Sequence, residues 1–314
     1  MFCRSLPPAV FTAAFLIICS RGYSTEITVE RSEGGAVVKI DGRLFTEYLT
    51  CSGTKPILWP IIGPTEQPMT RAHPMGDVEG EKKDHPHQRS LWFSHGDVNG
   101  VNFWAETGRV GKIEHLEFVK LGGTPATIVA RNAWIDPDGK KVCEDTRTLG
   151  FGAYDQSRWI DFDITLKATD GPVVFGDTKE GTFGIRVAKS IRVDAGMGGK
   201  FVNSRNQVNN DAWGQPAEWI DYHGPVGGRT MGIAVLNHPD SFRYPTYWHV
   251  RPYGLLAANP FGASDFSKGQ LPGGATTIAP GESIRLRYRV LFHRGDQREG
   301  RVAEAFAAFT EATK

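Results

Sequence analysis

Strict alternation of apolar and polar positions marks the strongest elements of this chain. Across positions 159–166, Ile160, Phe162, Ile164 and Leu166 occupy every second place, with Asp161, Asp163 and Thr165 between them. Positions 284–292 repeat the pattern, with Ile284, Leu286, Tyr288, Val290 and Phe292 on one side and Arg285, Arg287 and Arg289 on the other. Successive side chains of an extended chain point to opposite faces, so each run predicts an antiparallel strand with one wet face. Similar runs at 27–30, 36–40, 112–121, 127–135, 186–193 and 231–236 predict further strands. Asp41-Gly42, Pro137-Asp138-Gly139, Asp170-Gly171-Pro172 and Pro280-Gly281 supply turns between them. The period lengthens only at the end, where 301–312 is alanine-rich and sets Val302, Ala305, Phe306 and Phe309 on one helical stripe. The prediction is an all-β fold, one large antiparallel β-sandwich closed by a short C-terminal helix.

Residues 1–22 follow another logic. Arg4 precedes an apolar run from Ala9 to Cys19, and Ser20-Arg21-Gly22 offers small residues for cleavage. This is the layout of a secretory signal peptide, too short for a spanning helix. The expectation is a single domain over 23–314, secreted or periplasmic, with no membrane contact beyond the signal. Beyond the signal only Cys51 and Cys143 are left, which could pair but do not make a disulfide scaffold. With 36 basic and 35 acidic residues, the chain has no electrostatic footprint for nucleic acid. It also lacks a dinucleotide or phosphate-binding glycine loop, a nucleophile elbow and a zinc-peptidase helix, which disfavours nucleotide cofactors and those hydrolase classes.

Chemistry concentrates in three segments. Asp84 to Trp104 holds His85, His87, His95, Arg89, Trp92 and Trp104. On an extended chain His85 and His87 would share one side. Either they begin a metal site, or one is structural while the other titrates. Arg89 suits a carboxylate or oxyanion, His95 lies on a loop beside Asp97, and Trp92 and Trp104 are either core or stacking surfaces. The second segment, 177–186, reads by default as a solvated hairpin. It makes Glu180 the candidate carboxylate, with Lys179 as its electrostatic partner. The third is Trp248-His249-Val250-Arg251, with Tyr253 close by. The catalytic candidates are therefore His87, His95, Glu180 and His249. The substrate-binding candidates are Asp84, Arg89, Trp92, Lys179, Trp248 and Arg251. Tryptophans near histidines and glycines are a frequent composition of sugar sites.

Three signatures, Asp84-His85-Pro86-His87 with Arg89, Leu91-Trp92-Phe93, and His95-Gly96-Asp97-Val98-Asn99-Gly100, resemble a bacterial secreted family of unknown function that carries the label methane oxygenase PmoA. Glu180-Gly181, Phe183-Gly184, Arg186, Trp248 to Arg251 and Asn259-Pro260-Phe261-Gly262 extend the resemblance over nearly the whole chain after the signal. A membrane oxygenase needs several apolar spans, and none follows the signal, so the oxygenase label is set aside. Pro280-Gly281-Glu282, the strand after it and His293-Arg294-Gly295 are similar to the end of galactose mutarotase-like sandwiches. That resemblance implies aldose epimerase, lyase or glycoside hydrolase chemistry, with His87, His95, Glu180 and His249 converging on a concave sheet face.

The leading expectation is a carbohydrate-active enzyme using His/Glu acid–base chemistry on a small-molecule or oligosaccharide substrate, with no required cofactor. The alternatives are a non-catalytic carbohydrate-binding sandwich, and a metal-dependent, redox-capable enzyme holding a divalent ion at His85 and His87.

Overall fold

In the computed structural model the described residues are 25–154 and 156–311. The expected signal at 1–22 lies outside them, and so does Ala312. Two eight-stranded antiparallel sheets stack face to face. The first runs, edge to edge, through Ile27–Arg31, Gly35–Ile40, Arg43–Ser52, Lys55–Ile61, Leu91–His95, Gly181–Arg186, Leu255–Asn259 and Tyr247–Val250. The second runs through Lys200–Asn203, Trp219–Val226, Arg229–Asn237, Ser283–Arg294, Ser157–Lys167, Lys141–Tyr154, Thr127–Ile135 and Lys112–Gly122. A short pair, Val173–Phe175 with Thr276–Ile278, lies outside both sheets.

The alternation read in the sequence is the alternation of the sandwich. Ile160, Phe162, Ile164, Leu166, Leu286, Tyr288, Val290 and Phe292 all enter the core between the sheets. There Phe183 stacks on Tyr288, centroids 4.8 Å apart and rings 6° from parallel, while Trp134 packs between Phe93 and Phe103. Each fully buried large apolar side chain contributes roughly 1.5–3 kcal/mol, so this layer holds the two sheets together. On the outer face, register places Arg289 opposite Asp161 and Arg287 opposite Asp163, and both pairs form ion pairs. The helix Val302–Glu311 covers the neighbouring apolar patch of Ala234, Leu236 and Leu291 with the predicted stripe. Cys51 is exposed, Cys143 is buried, and both are free. Among the described residues no helix is long and apolar enough to cross a membrane.

One expectation is corrected. The segment 177–186 is not a solvated hairpin, and no strand follows over 186–193. Gly181–Arg186 is instead a wholly buried central strand, paired with Leu91–His95 on one side and Leu255–Asn259 on the other. Its two glycines read as loop signals, yet Gly184 is where the sheet needs an empty face. A Cβ there would come within 2.4 Å of the Trp92 ring, which lies across it.

Candidate functional site

The central strands divide their side chains by parity. Leu91, Phe93, Ile185, Phe183, Leu256 and Ala258 face the core, which leaves Trp92, Gly184, Arg186, Leu255 and Ala257 on the outer face of the first sheet. His95 shares the parity of Leu91 and Phe93. It is fully buried, ringed by Phe175 and Phe261, with Nε2 2.9 Å from the Gly176 carbonyl, and burial pushes it down to about 4. Trp248 likewise faces inward, donating its indole N–H to the Ala217 carbonyl at 3.0 Å. Trp92 is on the outer face but 1 % exposed beneath Trp104, at a centroid distance of 5.2 Å. These three expectations are corrected: none of the three side chains is open to a ligand.

Over this outer face lies the Asp84–Arg89 segment, a turn and not an extended run. His85 has φ 45°, in the left-handed region, and the Gln88 amide donates to the His85 carbonyl at 3.0 Å. Buried Arg71 organises the turn, donating to the carbonyls of Asp84, His85 and Gln88 at 2.8, 2.9 and 3.1 Å. Asp84 Oδ1 accepts from Arg71 at 2.7 Å and from Arg186 at 2.9 Å. Burial raises the Asp84 carboxyl, but Arg186, His85 and Arg71 outweigh it and hold it below its ordinary value. Asp84 therefore ties the turn to the sheet and does not wait for a substrate. Tyr253 is clasped between the His85 ring, 5.0 Å away and 7° from parallel, and the Arg186 guanidinium, 4.6 Å from its centroid.

His85 and His87 do approach, at 5.8 Å between rings, although the backbone reason is a turn. No group of three His, Cys, Asp or Glu side chains converges there or elsewhere among the described residues, so the pair lacks the further ligands of a four-coordinate ion. Burial and the nearby Lys55 ammonium push His87 down to about 4, so it is neutral near pH 7. Beside it is a cluster that no sequence signal announced. Glu106 accepts two bonds from Arg89 Nε at 2.8 and 3.0 Å, one from Arg89 Nη2 at 2.7 Å, and one from the fully buried Lys55 at 2.7 Å. The Arg89 guanidinium is thus committed to Glu106 and to Ser52, which corrects its expected role as an oxyanion clamp.

Below Tyr253 the surface opens into a cleft of about 380 Å³, lined by Lys179, Glu180, Asp194, His249, Arg251 and Tyr253. The strand Tyr247–Val250 brings His249 to the cleft wall, and the turn before Gly181–Arg186 brings Lys179 and Glu180, an ion pair at 3.3 Å. His249 Nδ1 lies 2.8 Å from the Lys179 carbonyl, which only accepts, so the proton is on Nδ1. Nε2 then accepts from Arg251 Nε at 3.2 Å. Burial and the Arg251 charge push His249 down to about 3. With both nitrogens engaged it is a neutral prop, not the expected acid or base. Arg251, aimed by that prop, spreads over the Trp213 ring at 4.8 Å. Asp194 is held by Arg192 at 2.6 Å and Lys82 at 3.0 Å. The groups left for chemistry in the cleft are Glu180, Lys179 and the terminal nitrogens of Arg251; the Tyr253 hydroxyl at its edge is hydrogen-bonded to the Gln88 side chain and kept protonated because burial raises it.

The sequence matches a family of unknown function, DUF6807, over residues 35–307. The chain belongs to that family. The comparisons give no support to the methane-oxygenase label that the motif resemblance carried. Comparison with curated proteins finds no match. Among solved structures, the chain is similar to an α-galactosidase from Lactobacillus brevis at 7% identity and TM-score 0.44, covering 87% of this chain and 40% of that one. It is similar to a putative aldose 1-epimerase from Escherichia coli K12 at 9% identity and TM-score 0.35, covering 87% and 100%. A galactose mutarotase related enzyme from Lactobacillus acidophilus matches at 9% identity and TM-score 0.32, covering 85% and 97%. Likeness at these scores says nothing of activity.

Proposed function

We propose that this DUF6807 protein is an exported carbohydrate-active enzyme that takes an acidic sugar into the Glu180–Arg251 cleft and removes the proton next to its carboxylate. The observation that carries the reading is the Arg251 guanidinium, locked by His249 beside the Lys179–Glu180 pair. Two cations flank the one cleft carboxylate not tied down by arginine. That arrangement suits a sugar carboxylate and the negative charge that builds on it as the proton leaves. Glu180 takes the proton, Arg251 and Lys179 hold the charge, and the Tyr253 hydroxyl gives its proton to the departing oxygen as the C–O bond breaks and a C=C bond forms. Adding a proton back on the other face, without that cleavage, is epimerisation. Two free carboxylates flanking one bond, as glycoside hydrolysis commonly needs, are not provided by this cleft, because Asp194 is engaged. Export rests on the signal-like segment 1–22.

The test is a screen of acidic and neutral oligosaccharides for ultraviolet absorbance of an unsaturated product and for new reducing ends, with and without a chelator. Acidic substrates should turn over, Glu180→Gln should lose about 100-fold or more in kcat, and ligand should still bind. Full activity in Glu180→Gln, or a preference for neutral sugars, would refute the assignment. Binding without turnover by the wild type would favour the non-catalytic sandwich, and loss of activity with chelator would favour the metal reading.

A further inference from the structure

Across the sandwich from the cleft, two hollows share one arginine. A cavity of about 550 Å³ lies between the outer face of the second sheet and the C-terminal helix, with Tyr154, Trp159 and Arg294 in its wall. Another, of about 410 Å³, lies between the turn at Pro64–Gln67 and the turn at Gly227–Arg229, with Arg43, Arg229 and Arg294 in its wall. The charges there are unbalanced. The carboxylate nearest Arg43 is Glu66, at 3.9 Å, and Glu66 is already bonded to the buried guanidinium of Arg158. Among the described residues Arg229 and Arg294 make no ion pair, and Arg294 Nε is buried without an acceptor. A buried donor without a partner destabilises the free protein, and an anionic oxygen would relieve that.

The other carboxylates of the larger wall are engaged: Glu299 accepts the Asp296 amide at 3.2 Å and Glu304 pairs with Arg301 at 3.4 Å. At the far end an aromatic surface waits. Tyr154 is 74% exposed, and its ring lies 4.9 Å from Trp159. Trp159 lies flat because Gly152 leaves it room; a Cβ there would come within 1.8 Å of the indole. A large exposed aromatic ring in the same wall as the Arg294 guanidinium, which makes no ion pair, is a surface for a ligand both ring-faced and anionic.

We infer that the two cavities bordered by Arg294 together hold a stretch of anionic polysaccharide, with its carboxylate or sulfate groups on Arg229 and Arg294 and one sugar ring against Tyr154. The inference shares its ligand class with the cleft reading but stands without it. Such a site would hold polymer near the protein whether or not the cleft is filled.

Affinity electrophoresis tests it, with gels containing polygalacturonate, dextran sulfate or neutral dextran. Wild type should be retarded by an acidic polymer and not by dextran. Retention should weaken about tenfold in R229A/R294A and measurably in Tyr154→Ala, and should fall with added salt. Circular dichroism checks the fold of each variant, and Arg229→Ala alone serves if the double variant unfolds. No retardation of wild type, or undiminished retention in R229A/R294A, overturns the inference. Tyr154→Ala at full retention, with inorganic sulfate displacing the polymer at equal charge, would leave a simple anion site and overturn the polysaccharide assignment. Failure of the cleft reading shows separately, as wild type without turnover on short acidic oligosaccharides.

Discussion

Replacing Lys55 by methionine probes the buried charge cluster under His87. The Lys55 side chain has no exposed surface, and burial pushes its ammonium from 10.5 down to about 8 even with Glu106 attracting it. At about 1.4 kcal/mol per pH unit, that gap corresponds to roughly 3 kcal/mol of folding free energy set against the charged form. Because the folded value lies below the unfolded one, the unfolded chain holds the extra proton between them. Stability from this group therefore rises as pH climbs from about 8 toward 10.5. Methionine nearly matches the lysine stem, and Glu106 keeps its three bonds from Arg89. Lys55→Met should thus equal or exceed wild-type stability at neutral pH, by up to about 3 kcal/mol, and should lose the rise above pH 8. Glu106→Gln strands the buried Lys55 ammonium and the partly buried Arg89 guanidinium and should cost about 3–5 kcal/mol. Urea unfolding followed by tryptophan fluorescence across this pH range measures both. A Lys55→Met protein destabilised as much as Glu106→Gln would refute the reasoning, since the ammonium would then be holding the cluster together.

His249→Phe keeps the ring and removes the prop from Arg251. KM for an acidic substrate should rise about tenfold while the pH profile stays unchanged, whereas a lost pH limb would make His249 an acid or base after all. Gly184→Ala drives a methyl group into the Trp92 ring and should cost about 1–3 kcal/mol, read as a lower midpoint in thermal melts. On the second sheet, His293 lies 3.1 Å from the Arg294 carbonyl through Nδ1 and 2.8 Å from Asp221 through Nε2. Both partners accept, so the ring is an imidazolium. Burial lowers its pKa, but Asp221 outweighs burial and holds it above 6.5. Its contribution is full below that value and is lost as pH rises through the raised one. Asp221→Asn should lower stability by about 3–5 kcal/mol and flatten that decline, measured by melts from about pH 5 to about pH 9.

The wet-faced strands were legible because their information is local. Ile160 to Leu166 and Ile284 to Phe292 each have one buried and one solvated face, and period two records that in any window of eight residues. Gly181–Arg186 has no wet face, so burial on both sides erased the alternation and left only its glycines to be read. Of the site, the pairs Lys179-Glu180 and His249-Arg251 stood out as clusters, and the fold brings them to one cleft. Their roles did not stand out. Whether His249 is a proton carrier or a prop depends on a carbonyl 70 residues away. Arg89 was lost to Glu106, and Lys55, 51 residues before Glu106, carried no signal.

By itself, then, the chain's pattern determined the all-β class, the antiparallel pairing and the closing helix, because hydrophobic burial acts on every residue in register. Only the tertiary structure decided which polar groups stay free. Hydrogen-bond donors and acceptors are spent pairwise across long sequence separations, and what stays open to a ligand, the Lys179–Glu180 pair and the tips of Arg251 in one place and Arg229 with Arg294 in another, is known only after every partner has been placed.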